Sequence, residues 1–151
     1  MIFKNKKIAI IGGGIVGLAV AYKLSQRQAK VYIFEKESSF GLHQSGRNSG
    51  VLHCGLAYKP GSLKAKLSTR GINEMVDFCQ THNIAHDICG KVVVATNSLE
   101  EKALLELAAR GDKNGLKGLK FLTAKELMFR EPFVRAEKSL LVPQEGIVDY
   151  L

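Results

Sequence analysis

The chain opens with a basic stretch, Met1 to Lys7, and then runs into four consecutive apolar residues, Ile8-Ala9-Ile10-Ile11, that end on glycines. An unbroken apolar run bounded by glycine predicts a strand buried on both faces. From Ile15 to Gln28 the apolar residues Ile15, Leu18, Ala19 and Tyr22 recur at helical spacing, which predicts a helix. Lys30 to Glu35 (KVYIFE) is rich in β-formers and predicts a second strand. Together these segments form one strand–helix–strand unit. Residues 36–61 lose periodicity and are dominated by Ser, Gly, Asn and His, and so long a loop in a compact domain is usually functional. Ser62 is placed to cap a helix running to about Thr81, with Leu63, Leu67, Met75, Phe78 and Cys79 as its core stripe.

The rest of the chain alternates short strands with helices. Lys91 to Thr96 (KVVVAT) predicts a strand, and Ser98-x-x-Glu101 predicts a capping box. The helix it opens follows Leu104, Leu105 and Ala108 and is expected to stop at Gly111. Phe121-Leu122 predicts a short strand, and Thr123-x-x-Glu126 caps a short helix that Pro132 ends. Leu140 to Val142 and Ile147-Val148 predict two more strands. No internal repeat or low-complexity linker interrupts this order. A doubly wound nucleotide-binding sheet needs at least three adjacent parallel strands, so the partner of segments 8–11 and 30–35 is expected either in KVVVAT or in sequence that this chain lacks.

Composition narrows the class. At 151 residues and 16.5 kDa, with 46% hydrophobic and 24% charged residues, the chain is of ordinary globular make-up, which excludes a mainly disordered protein. Fifteen glycines without a strict period exclude collagen, and three cysteines (Cys54, Cys79, Cys89) without a CxxC pair point to free thiols in a reducing compartment. The net charge of +8 is uneven: residues 1–75 carry 12 Lys/Arg against 3 Asp/Glu, and residues 76–151 carry 10 against 11. A basic half suits an anionic ligand, although solvated surface lysine accounts for most such charge. No Lys/Arg run alternates with aromatics, so no nucleic-acid partner is expected. The basic start and Ala19-Val20-Ala21 imitate a secretory signal, but Gly12, Gly13, Gly14 and Gly17 interrupt the uncharged stretch. A cytoplasmic chain without a transmembrane segment is therefore expected.

Those glycines carry chemistry. Gly12-Gly13-Gly14-Ile15-Val16-Gly17 fits GxGxxG through Gly12, Gly14 and Gly17, directly after a predicted strand and at the start of a predicted helix. The first glycine permits the tight turn, the second lets a pyrophosphate approach the backbone, and the third allows close helix–strand packing. Glu35, at the end of the second strand, can accept both ribose hydroxyls of an adenosine and would repel a 2′-phosphate. This context predicts a dinucleotide site and leaves NAD and FAD both open. The segment Gly41 to Gly55 is a second glycine-rich loop in which Ser45, Asn48 and Ser49 offer hydrogen bonds. Pyrophosphate binding does not need it, whereas a flavin could use it.

The runs IAIIGGGIVGLAVAYKL, FEKE and GLHQSGRNSGVLHCGLAYKPGSLKAKL resemble the D-amino-acid-oxidase-like FAD oxidoreductases, and among them the L-2-hydroxyglutarate dehydrogenase/oxidase family. CGKVVVAT, LKFLTAKEL, REP and VPQEGIVDY also match that family's order, so the resemblance covers essentially the whole chain. It implies an α/β fold: the N-terminal part of a Rossmann-like FAD-binding domain with the start of a mixed α+β substrate domain. The expected division is 1–83 for the FAD-binding unit, flavin loop and following helix, and 84–151 for the incomplete substrate domain. The resemblance implies FAD held by Gly12, Gly14, Gly17, Glu35, Lys36, Gln44, Ser45, Asn48, Ser49 and Gly50. It also implies oxidation of a small-molecule 2-hydroxy diacid to the 2-oxo acid.

His53 is the candidate base, because a neutral imidazole accepts a proton near pH 7. Arg47 and Lys59 are candidates for attracting the substrate carboxylates, and Arg47 stands where the family pattern has His. Such families run longer than this chain, so the remaining portion as a separate chain and a peripheral membrane contact for electron transfer are further expected partners. A non-catalytic truncated or split-frame product, and an oxidoreductase acting on an amine or glycerol phosphate, are the alternatives. Cys79, His82, His86 and Cys89 also form a C-x2-H-x3-H-x2-C pattern of zinc-ligand types. Because Cys79 continues the apolar stripe and Asn83-Ile84 reads as a helix end, no metal is expected there.

Overall fold

The computed structural model describes residues 2–151; Met1, the first residue of the basic stretch, lies outside them. The chain divides into two compact units, one running to Gly50 and including Asp149–Leu151, the other Val51–Val148. That division falls earlier than residue 83, and it groups the helix after the glycine-rich loop with the second unit.

The first unit holds strand β1 (Lys7–Ile11), helix α1 (Ile15–Ser25) and strand β2 (Lys30–Phe34). The two strands pair in parallel, Lys7 with Lys30 through Ile11 with Phe34. This is the expected right-sized βαβ unit, because a parallel pair needs a crossover and the helix supplies it. Its apolar residues are only partly covered: Ile11 is 83% exposed, Val16 74% and Phe34 58%. KVVVAT does not supply the third parallel strand. It lies in the second unit, in an antiparallel sheet, and β1 and β2 form a two-stranded sheet among the described residues.

The second unit contains β3 (Val51–Leu52), α2 (Leu63–Thr81), β4 (His86–Asp87), β5 (Lys91–Ala95), α3 (Ser98–Lys113), β6 (Lys120–Leu122), α4 (Ala124–Arg130), β7 (Lys138–Val142) and β8 (Gly146–Val148). Two three-stranded antiparallel sheets result, in the orders β5-β7-β6 and β3-β8-β4. Strand β7 is central to the first, which is why Ser139, Leu140 and Val142 are essentially inaccessible. The two-residue strands β3 and β4 have no sequence signal of their own and exist because both edges of β8 bind them.

The helices follow the expected segments but differ in their ends and faces. Ser62 caps α2 as expected, its Oγ accepting from Ala65 N–H. The buried stripe of α2 is Ala65, Ile72 and Cys79; Cys79 is as expected, but Leu63 is 71% exposed, and Leu67 and Phe78 are exposed as well. Small Ala65 and Cys79 permit close approach, so packing selects a face that apolar bulk does not announce. The cap of α3 is Asn97, whose Oδ1 accepts from Leu99 and Glu100 N–H, and Ser98 is the first helical residue. Asn97→Ala is accordingly expected to cost about 1 kcal/mol in urea denaturation, and Ser98→Ala far less.

Nor does α3 stop at Gly111. A Cβ there would meet the side chains of Leu119 and Leu56 at 2.7 and 2.8 Å, so this glycine makes room for packing inside the helix. Gly115, with φ +82°, takes the left-handed turn that ends it. The Thr123–Glu126 capping box of α4 forms as expected. The Lys120 ammonium, and then Thr123, hold the Glu126 carboxyl down to about 2.

Candidate functional site

In the first unit the glycine turn between β1 and α1 has the geometry that a dinucleotide requires. Gly12 stands at φ +101°, a conformation that L side chains rarely adopt, and a Cβ there would meet no heavy atom within 4 Å. Gly17 is the close-packing glycine: its Cβ would fall 2.1 Å from the Gly12 carbonyl oxygen. The first turn of α1 carries no acidic side chain, so the positive end of its dipole is not offset by a carboxylate within the helix. Glu35 stands beside the turn, with Oε2 accepting from Gly13 N–H at 2.6 Å and Oε1 from Glu37 N–H at 3.0 Å. Those backbone donors, Gly13 foremost, hold its carboxyl below the usual range, so it is an anion at neutral pH. Open backbone at Gly12 and an anchored carboxylate at the end of β2 fit a pyrophosphate and an adenosine ribose.

The second glycine-rich loop is built onto this turn. Ser45 Oγ accepts from Ile15 N–H at 2.8 Å, capping α1 from thirty residues away. Gly41 N–H donates to the Gly13 carbonyl at 3.1 Å. Asn48 staples its own loop, donating to the Gln44 and Ser45 carbonyls and accepting from Gly50 N–H. Gln44, Arg47 and Ser49 are exposed, and Lys36 reaches Glu37 at 3.4 Å. Phe40 was not anticipated as part of the site. Its ring lies against Gly13, where a Cβ would come within 2.2 Å, and a lone aromatic in a polar loop carries no distinctive sequence signal.

In the second unit a different cluster forms around Glu145, on the turn between β7 and β8. Its side chain is almost fully buried, with Lys91 Nζ at 2.5 Å and His53 Nδ1 at 3.6 Å from one oxygen. Cys54 offers its N–H and its thiol to the other oxygen, each at 3.4 Å. Burial pushes the Glu145 carboxyl up, but Lys91, with Cys54 and His53, more than offsets this and the group stays below the usual range. Burial and then the Glu145 charge push the Cys54 thiol up to about 11, so it remains a neutral donor. A cavity of about 310 Å³ opens beside the cluster, lined by His53, Tyr58, Lys91 and Glu145 with apolar Val93 and Leu107. Its 55–58 wall is held by the end of α3. Asn114 donates to the Gly55 and Tyr58 carbonyls and Arg110 to that of Ala57.

Residues 7–151 match the sequence profile of the FAD dependent oxidoreductase family, DAO. The chain belongs to this FAD dependent oxidoreductase family. FAD is the family's cofactor. L-2-hydroxyglutarate dehydrogenase of Indibacter alkaliphilus is 50% identical over 146 residues, covering 95% of this chain and 37% of that protein. The mitochondrial L-2-hydroxyglutarate dehydrogenase of Dictyostelium discoideum is 46% identical, covering 99% of this chain and 35% of that one. Among solved structures, the dithionite-reduced L-alpha-glycerophosphate oxidase of Mycoplasma pneumoniae with FAD bound matches with a TM-score of 0.83 at 29% identity, over 97% of this chain and 39% of its own. The chain thus spans little more than a third of the length of these relatives.

Within this FAD oxidoreductase domain the predicted cofactor residues Gly12, Gly14, Gly17, Glu35, Lys36, Gln44, Ser45, Asn48, Ser49 and Gly50 all fall in the first unit. His53 and Lys59 fall in the second, His53 on the Glu145 cluster and Lys59 exposed in the turn before α2. Lys91 and Glu145 escape sequence reasoning because they stand 38 and 92 positions from His53, and only strand pairing brings them there. Cys79 is buried, and His86 Nδ1 lies 2.8 Å from the Ile84 carbonyl. Among the described residues no group of three or more His, Cys, Asp or Glu is placed to hold a metal ion, and no helix is long and apolar enough to cross a membrane.

Proposed function

We propose that this chain is the FAD-binding N-terminal part of an enzyme that oxidises L-2-hydroxyglutarate to 2-oxoglutarate. The carrying observation is the 50% identity to an L-2-hydroxyglutarate dehydrogenase across nearly the whole chain. Gly12, Gly14 and Gly17 admit the pyrophosphate, Glu35 accepts the ribose hydroxyls, and Lys36, Gln44, Ser45, Asn48, Ser49 and Gly50 supply the remaining polar contacts. When bound, FAD supplies the acceptor for the two electrons of alcohol oxidation. His53, whose side chain is 55% exposed, takes the hydroxyl proton. Arg47 and Lys59, both exposed cations, attract the two carboxylates of the diacid. The first unit, extended by α2, is the cofactor part, and the segment from residue 84 begins the substrate part.

Anaerobic mixing with L-2-hydroxyglutarate is expected to bleach the bound flavin, while glycine and glycerol phosphate do not. His53→Gln is expected to keep its flavin and to slow that bleaching by about 100-fold or more. Bleaching by glycerol phosphate instead would favour the second reading, which the likeness to the glycerophosphate oxidase supports. A chain that takes up no FAD would favour a non-catalytic fragment.

A further inference from the structure

Glu145 is a costly residue for its place. A turn between two strands asks for no buried carboxylate, and burying one demands compensation. Here the compensation comes from Lys91 at 2.5 Å and from Cys54, and the remaining approach is made by His53 Nδ1 at 3.6 Å. The register explains the meeting. Antiparallel pairing of Val51 with Ile147 and Leu52 with Gly146 sets residue 53 opposite residue 145 one step beyond the ladder. Gly146 is needed for that register, since a Cβ there would fall 2.3 Å from the Asp87 carbonyl oxygen of β4.

We infer that Glu145 is a positioning residue for His53: its carboxylate holds the ring with Nδ1 inward and Nε2 on the far edge, and its balance against Lys91 sets how readily the ring takes a proton. The catalytic value of this device rests on the reading of His53 as the proton acceptor. Glu145 approaches the ring directly, Lys91 and Cys54 contact that carboxylate, and Lys91 and Tyr58 line the same cavity as the ring. The thiol is neutral, so the sign of the local field is decided by the carboxylate and the ammonium alone. Their charges cancel before the ring is protonated. Removing the anion leaves an ammonium that opposes the imidazolium, and removing the ammonium leaves the carboxylate free to favour it.

NMR of the imidazole nitrogens in the full chain tests this without any turnover. The wild-type ring is expected as the Nδ1–H tautomer, and that preference is lost in Glu145→Leu. The midpoint of ring protonation is expected to move to lower pH by at least about 0.5 unit in Glu145→Gln and to higher pH by a similar amount in Lys91→Met. His86, anchored on the Ile84 carbonyl, reports that the unit remains folded in each variant. Shifts in the same direction in both variants, or no shift, would overturn the inference, because a merely structural carboxylate would not produce opposite signs. If Glu145→Gln does not fold, Lys91→Met alone decides, and a missing alkaline shift is the negative result. Flavin bleaching that survives His53→Gln would sink the role of His53 in catalysis, whereas the ring titrations still judge Glu145.

Discussion

Gly17→Val is expected to weaken FAD retention and to destabilise the first unit by about 2 kcal/mol. The cause is a backbone collision: the new Cβ would sit 2.1 Å from the Gly12 carbonyl oxygen and 3.4 Å from Ile10 Cγ2. Neither can yield without moving α1 away from β1, and that movement dismantles the turn proposed to admit the pyrophosphate. A loss of that size in the bound geometry corresponds to about thirtyfold in affinity. Flavin absorbance after gel filtration and a titration with added FAD check it. Gly71→Ala is the control. It lies within α2 with nothing within 4 Å of a Cβ, so it is expected to raise stability by about 0.5–1 kcal/mol and leave FAD binding untouched. Equal FAD binding by wild type and Gly17→Val would refute the assignment of the third glycine.

Glu145→Ala is expected to destabilise the second unit strongly. It strips Lys91 of its partner and the Cys54 N–H of its acceptor at an almost fully buried position. A fully buried pair broken from one side loses ~3–5 kcal/mol, and because the Lys91 side chain is partly exposed the expected loss is about 2 kcal/mol. The contribution depends on pH with a definite sign. The folded-state carboxyl is held below the ordinary value of 4.5, so the folded chain binds fewer protons than the unfolded one near that pH. The stabilisation is therefore complete above the ordinary value and fades as pH falls through the folded one. Urea midpoints of wild type and Glu145→Ala should differ at neutral pH and converge in acid. A difference that persists unchanged into acid would show that the ion pair is not its source.

Much of the first unit was legible from sequence because its signals are local. An apolar run, a glycine turn and a helical period lie next to one another, and the β1–α1–β2 unit follows within thirty residues. Ser62 and the Thr123–Glu126 box were legible for the same reason, since a cap is a contact between neighbours. The errors arise where a distant partner decides. Gly111 reads as a helix stop but serves Leu56 and Leu119, and the helix runs on to Lys113. KVVVAT reads equally well as a parallel or an antiparallel strand, and its pairing with Lys138–Val142 settles the matter. The apolar stripe on α2 reads as Leu63, Leu67 and Cys79 among others, and of these three only Cys79 is buried, beside Ala65 and Ile72.

The sequence by itself determined the glycine turn between β1 and α1 and the carboxylate at the end of β2, because Gly12 must take a positive φ and Gly17 must pack against the Gly12 carbonyl, both constraints between near neighbours in the chain. It also determined the strand and helix segments whose periodicity is complete within a dozen residues. Only the tertiary structure decided that Ser45 caps α1, that Phe40 lies on Gly13, and that His53, Lys91 and Glu145 meet around one buried carboxylate. The reason is physical. A buried charge is tolerated only where compensating groups converge, and they converge here through the pairing of β3 with β8 across more than ninety residues and of β5 with β7, which brings Lys91.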